Sequence, residues 1–459
     1  MKYAGLFLST IFLLSILSCK NSTNDSSDEI RNDASTYSTY ASFDELVEAK
    51  DAKYVETVRI TPPGTKDSPT DHGFWFYNCM HEELHQFDPS GRYMVALQVA
   101  IEGRDVLPTD RGVIGIIDLQ DDYKWIEIGH TTTWNWQQGN RLQWIPGSSE
   151  EIIWNDRADD GKSFVSRIYH TGTKKTRTLP RPIYTISPDG GIALTHDFER
   201  MKHGGTNYVG IKDKYDGQWA PEGVKIWKMD LQNGQAEAII SIAQMAKLIY
   251  PDKNVIDHSR TLYFFREGFN PSGNRFIFFV KDAKPGQRAR TEGYSADLDG
   301  GDIRYLFKEP SHHFWLDDEN IMDNGWHTPP GQQDSVRGYF HFKDDGSGKP
   351  TRMYFEAPNG HITLSKDGNW ILTDTYNMEG FIHLYMYHLP TKKFIPLGKL
   401  ETHLNRKQTL KHAGYFRIDL HPRFSPDGKI ISIDSSHEGL GRQIYILDIS
   451  HIVDNPPTI

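Results

Sequence analysis

The chain reads as all-β, a seven-bladed β-propeller of four-stranded antiparallel blades. Three observations predict it. A strand–turn–strand signal built on Pro-Asp-Gly recurs along the sequence. A second β-run, ending in its own turn, follows each copy. The composition, with 12% aromatic residues, 39 Gly and 24 Pro, favours many short strands and tight corners over helices.

The first signal appears as Phe87-Asp88-Pro89-Ser90-Gly91, Ile186-Ser187-Pro188-Asp189-Gly190, Phe269-Asn270-Pro271-Ser272-Gly273, Leu364-Ser365-Lys366-Asp367-Gly368 and Phe424-Ser425-Pro426-Asp427-Gly428. Pro presets φ and Gly supplies the positive φ that reverses the chain. Weaker copies at Gln143-Trp144-Ile145-Pro146-Gly147 and Trp315-Leu316-Asp317-Asp318-Glu319 fill the gaps. The second signal is marked by Asp118, His170, Asp230, Leu298, Phe342, His388 and Asp448. Two interleaved signals at this spacing describe small four-stranded sheets in a ring. β-Sandwiches would need longer repeats and linkers between units. Residues 54–60 are positioned to close the last blade. Short helices are expected at 43–50, with Ser42 as N-cap and Glu45 completing a capping box, and at 241–249.

The domain plan follows. Residues 1–18 read as a signal peptide: Lys2 precedes an apolar run at 6–17 that is too short to span a bilayer. It ends in Ile16-Leu17-Ser18-Cys19, which resembles a bacterial lipobox with Cys19 as the lipidated residue. Residues 19–41 are polar and read as a disordered tether, and 42–459 as the propeller. This predicts a monomer, lipid-anchored in the bacterial outer membrane and facing periplasm or cell surface. Cys79 is then unpaired, so no disulfide framework is expected. The net charge of −10 excludes a nucleic-acid partner bound by bulk charge. An acidic ligand would need a local basic site.

In a propeller the residues just before each Pro-Asp-Gly turn converge on the channel. Those positions include His81 and His85, Arg181 and Tyr184, Arg266, His312 and His313, His361, and His421 with Arg423. Imidazoles from adjacent blades can bind a divalent metal. His312, His361 and His421 are therefore metal candidates, with Gln138 or His313 as a fourth ligand. The loop 196–208 is long and polar, and offers Arg200 and Lys202 as cations and His203 and Tyr208 as proton carriers. Trp136 and Gln137 pair an aromatic plane with an amide, as sugar binding requires. No P-loop, dinucleotide fingerprint or Gly-x-Ser-x-Gly elbow occurs.

The run 134–155 and the phrases Ser187-Pro188-Asp189-Gly190, Trp370-Ile371-Leu372-Thr373-Asp374-Thr375-Tyr376 and Asp419-Leu420-His421-Pro422-Arg423-Phe424-Ser425 carry a resemblance. Roughly over residues 70–450, the chain is similar to the secreted bacterial propellers grouped with the oligogalacturonate lyases and the propeller ulvan lyases. The Gln-x-x-His-x-His cluster of the former has no counterpart here. The resemblance implies β-elimination on a uronic acid in an acidic oligosaccharide or polysaccharide. It implies a divalent metal (Mn, Ca or Zn) and no organic cofactor. Arg266 or Arg200 is then expected on the carboxylate, His203 or Tyr208 as base or acid, and Trp136, Gln137, Arg181, Tyr184 and Arg423 around the sugar. Chain cleavage and dehydration of a terminal sugar both fit. A non-catalytic glycan- or protein-binding propeller is the alternative, and a carboxylate-pair glycosidase a further one.

Overall fold

A computed structural model describes residues 37–62, 74–76, 84–102, 104–204, 206–402 and 418–458, with backbone only at 74–76. The leader, Cys19, most of the tether, Cys79 and His81 lie outside the described residues. Residues Thr36–Ile459 form one unit.

Seven four-stranded antiparallel sheets surround one axis. Blade 1 comprises β2 (Phe74–Phe76), β3 (Tyr93–Val99), β4 (Gly112–Asp118) and β5 (Lys124–Thr131). Blade 4 comprises β14 (Thr261–Phe269), β15 (Arg275–Ala283), β16 (Arg290–Asp297) and β17 (Arg304–Lys308). Blade 5 comprises β18 (His312–Trp315), β19 (Asn320–His327), β20 (Val336–Lys343) and β21 (Pro350–Glu356). Blades 2, 3 and 6 span 143–179, 185–241 and 363–401 in the same order. Blade 7 takes β26 (Arg423–Phe424), β27 (Ile430–Ser435) and β28 (Gln443–Asp448) from the C-terminal end. Its outer strand is β1 (Val58–Arg59), whose Val58 pairs with Ile446, so residues 54–60 close the ring as the sequence predicts. In every blade one of the seven turn signals joins the inner strand to the next.

The turns show why the motif repeats. Ser187 Oγ donates to Asp189 Oδ1 at 2.5 Å and accepts the Ile192 N–H at 2.9 Å, while Gly190 sits at φ 75°. Ser365 and Ser425 do the same for Trp370 and Ile430. Asp88 and Asn270 take the Ser position and accept from Tyr93 and Arg275. In five blades one short polar side chain thus fastens the turn to the N–H five residues on. The two weaker copies use other caps: Ser148 accepts from Glu151 and Asp317 from Asn320.

Between blades the facing strands bury aromatic and branched residues, such as Phe279, Phe307, Phe340 and Phe342 between blades 4 and 5. On the axis, a cavity of about 700 Å³ is lined by the apolar residue before each turn, from Phe87 and Trp144 to Trp315 and Phe424. Two helices form where expected. In α1 (Phe43–Glu48), Ser42 Oγ accepts the Glu45 N–H, while Glu45 reaches back to Ala41 rather than to the cap residue itself. In α2 (Ile242–Ile249), Ser241 caps Gln244. Among the described residues no helix is long and apolar enough to cross a membrane.

Candidate functional site

The site lies where the inner strands of blades 4 to 7 begin, at the end of the channel away from the Pro-Asp-Gly turns. His312, His361 and His421 come from three consecutive blades. Their rings meet in series, with centroids 4.6 Å apart for His312–His361 and 4.1 Å for His361–His421. All three are buried.

Each of the first two imidazoles is held by one nitrogen. His361 Nδ1–H donates to Asp374 Oδ1 at 2.8 Å, and the fully buried Asp374 also accepts the backbone N–H of His361 and of Leu420. One carboxylate therefore ties blade 6 to the segment leading into blade 7. His361 Nε2 points to Asp419 Oδ2, 3.8 Å away. His312 Nδ1–H donates to Asn359 Oδ1 at 3.1 Å, leaving a buried Nε2 with no hydrogen-bond partner among the described residues. An imidazole anchored through Nδ1 with a bare Nε2 has the orientation of a metal ligand. Burial first, then the Arg266 charge, pushes the His312 pKa well below its ordinary value, so the ring is neutral and able to coordinate.

His361, Asp419 and His421 bring one ligand atom each within 4.8 Å of one another, a set that a divalent ion fits. His421 adopts φ 42°, the kind of backbone strain that persists where surrounding structure dictates a side-chain position. Gly360 is required before His361, because a Cβ there would collide with the Asp374 carbonyl.

Two cations complete the site. Arg266 sits in a bulge where β14 slips register against β15, with φ 58°. The bulge re-aims its side chain, and Nη1–H donates to the Ser311 carbonyl at 2.6 Å. Lys281 on β15 lies over the Phe265 ring at 4.1 Å, and Arg266 approaches the same ring at 5.7 Å. Among the described residues neither cation has a carboxylate within ion-pair distance. Burial, reinforced by Arg266, brings the Lys281 pKa down to about 7. Arg266 is buried and Lys281 half-buried; charges withdrawn from water are normally paired, so these two cations, unpaired among the described residues, mark a place for an anion.

Other expected residues are elsewhere employed. Arg200 is fully buried and all its donors are used: Leu262, Tyr215, Gln218 and Trp219 carbonyls and the Asp213 carboxylate accept from it. It clamps a loop to β14 and has nothing left for a substrate. The loop 196–208 is no polar excursion, because Phe198, Met201 and Tyr208 are buried to 0% exposure. Tyr208 stacks on Phe198 at 4.5 Å and accepts from Asn155, which is a core role. The side chain of His203 lies outside what is described.

Trp136 is buried between Arg442 and Trp134, its indole N–H donating to the Arg104 carbonyl, so it offers no open sugar platform. Gln137 is half-buried in the same turn. Gln138 donates to the Thr206 carbonyl. His313 points to the opposite face of β18 from His312, as alternation demands, and packs on Phe279. Tyr184 is buried against His196 and Arg141, and Arg181 covers Trp227 at 3.5 Å. Arg423 belongs to the axial cavity, where its guanidinium donates to the His421 carbonyl.

Asp374, Asp419, Asn359 and Lys281 escaped sequence reasoning. Asp419 had a signal, since it precedes His421 by two residues. Lys281 had one too, as the single charge ending the apolar run Phe276-Ile277-Phe278-Phe279-Val280.

No family model matches the chain, and no curated protein matches it. Among solved structures, oligogalacturonate lyase from Vibrio parahaemolyticus matches over 90% of this chain and 96% of its own, with TM-score 0.54 at 14% identity. An oligogalacturonate lyase in complex with manganese matches over the same shares, with TM-score 0.53 at 14% identity. At such identity the likeness establishes a common fold.

Proposed function

We propose that the chain is a uronate-directed carbon–oxygen lyase, acting by β-elimination on an acidic oligosaccharide or polysaccharide of the oligogalacturonate or ulvan kind. The observation that carries the reading is the pair Arg266 and Lys281, which has no carboxylate within ion-pair distance among the described residues, with Arg266 bonded to the Ser311 carbonyl next to His312. The fold shared with two oligogalacturonate lyases supports it.

The C5 proton of a uronate is weakly acidic, so its removal requires that charge arriving on the carboxylate be stabilised. Arg266 pairs with that carboxylate and takes up the charge as the C5–H electron pair moves into it. Lys281, partly neutral near pH 7, accepts the C5 proton. The pair then forms the C4–C5 double bond and expels O4, which leaves with the proton returned from the Lys281 ammonium. If O4 carries a sugar the chain is cut; if it is a free hydroxyl, water is lost. His361, His421 and Asp419, with His312 beside them, would hold a divalent ion such as Mn, Ca or Zn. When bound, such an ion supplies Lewis acidity toward the carboxylate. Asp374 and Asn359 orient the imidazoles, and no organic cofactor is needed.

The same reading has the protein acting as a monomer, tethered through a lipid on Cys19 in the bacterial outer membrane. Loss of labelled palmitate from Cys19→Ala tests the tether. The activity is tested by incubating the soluble domain with plant and algal uronate oligosaccharides and following ultraviolet absorbance of the unsaturated product. A rise that Arg266→Ala abolishes is expected. Absence of any rise across uronates, with glycan binding retained, would leave the non-catalytic alternative.

A further inference from the structure

Beyond the reacting sugar, blade 5 carries a third cation with no carboxylate partner among the described residues. Arg337, at the start of β20, is half-buried, yet its one hydrogen bond runs to Asn324 Oδ1 at a long 3.4 Å. No carboxylate lies within ion-pair distance of it among the described residues. Its guanidinium stands 5.6 Å from the ring centre of Trp326, its partner across the β19–β20 ladder. Trp326 is 52% exposed, whereas Trp134, Trp136, Trp144, Trp154, Trp315 and Trp370 are buried.

These residues connect to the site. On β19, Met322, Asn324 and Trp326 share the face turned toward blade 6, because strand side chains alternate, and Met322 packs there with Ile371. Asn324 pairs with His312 across the β18–β19 ladder and donates to the Pro358 carbonyl, next to Asn359. Tyr376, from blade 6, bridges the gap: its ring lies 5.4 Å from His361 and 6.3 Å from His312, and it is electrostatically coupled to Arg337. The line therefore runs from His312 through Asn324 and Tyr376 to Arg337 and Trp326. It crosses two strand spacings, or roughly 10 Å, which is room for a neighbouring pyranose.

We propose that Arg337 and Trp326, reached past Tyr376, form a subsite for a second acidic sugar, so that the substrate is an oligouronate bound along the seam between blades 5 and 6. The guanidinium takes the second carboxylate, and the exposed indole stacks on the sugar ring. The proposal rests on the lyase reading for its reacting centre, but not for its binding chemistry.

The test compares a uronate disaccharide with the trisaccharide and tetrasaccharide, in wild type, Arg337→Ala, Arg337→Lys and Trp326→Ala. The advantage of the longer substrates, read as the ratio of kcat/KM values, is expected to fall about tenfold in the Ala variants. Arg337→Lys should recover part of it. Equal loss on every length, or no loss on any, overturns the subsite. Calorimetric binding of the trisaccharide is measured in parallel. If wild type binds it without turnover and Arg337→Ala weakens that binding, the subsite stands and the lyase reading falls. If wild type binds no oligouronate, the subsite falls with it.

Discussion

At the turn end of the channel, Asp88, Ser187, Asn270, Ser365 and Ser425 perform one task in five blades, each accepting the N–H five residues on. At the opposite end, Arg266, His312, His361 and His421 hold four different positions by four different means. These are a bulge, an amide partner, a carboxylate partner and a left-handed backbone. The turn end spends its polar groups on one another. Among the described residues, the other end leaves two cations without carboxylates and an imidazole nitrogen without a partner. Repetition serves closure of the ring, and the proposed chemistry sits where the repetition is broken.

That contrast can be broken most directly with Lys281→Met and Arg266→Met. Turnover is expected to drop on the order of 10²–10⁴-fold. The thermal midpoint should hold or rise, because an unpaired buried charge is removed. Unfolding of both variants would show that the cations are structural after all.

Asp374→Asn addresses the orienting carboxylate. It should weaken binding of a divalent ion about 10–100-fold, measured by calorimetric titration of the metal, and chelator should suppress turnover until that ion is restored.

The turn end should respond in the reverse sense. Gly190→Ala places a Cβ against the Pro146 carbonyl of the neighbouring blade at φ 75°, whereas at Gly428, with φ 74°, a Cβ meets nothing within 4 Å. Strain alone should cost Gly428→Ala about 1–2 kcal/mol, and Gly190→Ala more. Denaturant midpoints measure the difference, with kcat/KM at permissive temperature kept. Ser425→Ala, which removes one turn cap, should cost about 1 kcal/mol.

The smallest and most diagnostic effect is in pH. Lys281, faced by Arg266, Arg288 and Glu309, loses its proton at about 7 in the fold against 10.5 ordinarily. Across that window the folded chain binds fewer protons than the unfolded one, so stability rises with pH through it. Lys281→Met lacks this dependence. Its thermal midpoint should exceed that of wild type most below about 7, with the gap closing toward 10.5. Wild-type kcat/KM should climb through the same lower limit as the amine becomes neutral.

The same contrast governs what was legible in the sequence. All seven turns and both helices could be read, because each is set by residues near in sequence, and the β1 closure could be read because a ring of repeats leaves one strand place to fill. The His312, His361 and His421 positions were also readable, because the repeat fixes where each inner strand starts. Arg200 and Tyr208 were misjudged as chemistry since polarity in a loop says nothing of what the loop folds against. Asp374 and Lys281 were missed because their roles depend on neighbours in other strands: Leu420 from the next blade, and Arg266 re-aimed by a bulge that no turn residue announces.

The β1–β28 pairing has a consequence for biogenesis. Val58 must wait for Ile446, and the Tyr37 hydroxyl, which donates to the Asn455 carbonyl, spans 418 residues. An early-made segment, already bonded to blade 6 at Phe394 and Leu397, thus finds its last partners in a segment made almost four hundred residues later. Until the ribosome finishes, blade 7 is an incomplete sheet whose open edge can pair with another chain. A chain shortened by a few dozen residues at its C-terminal end would keep most of the site's residues in its sequence and still lack those partners. Such a chain is expected to be lost to aggregation or proteolysis rather than to fold as a six-bladed ring.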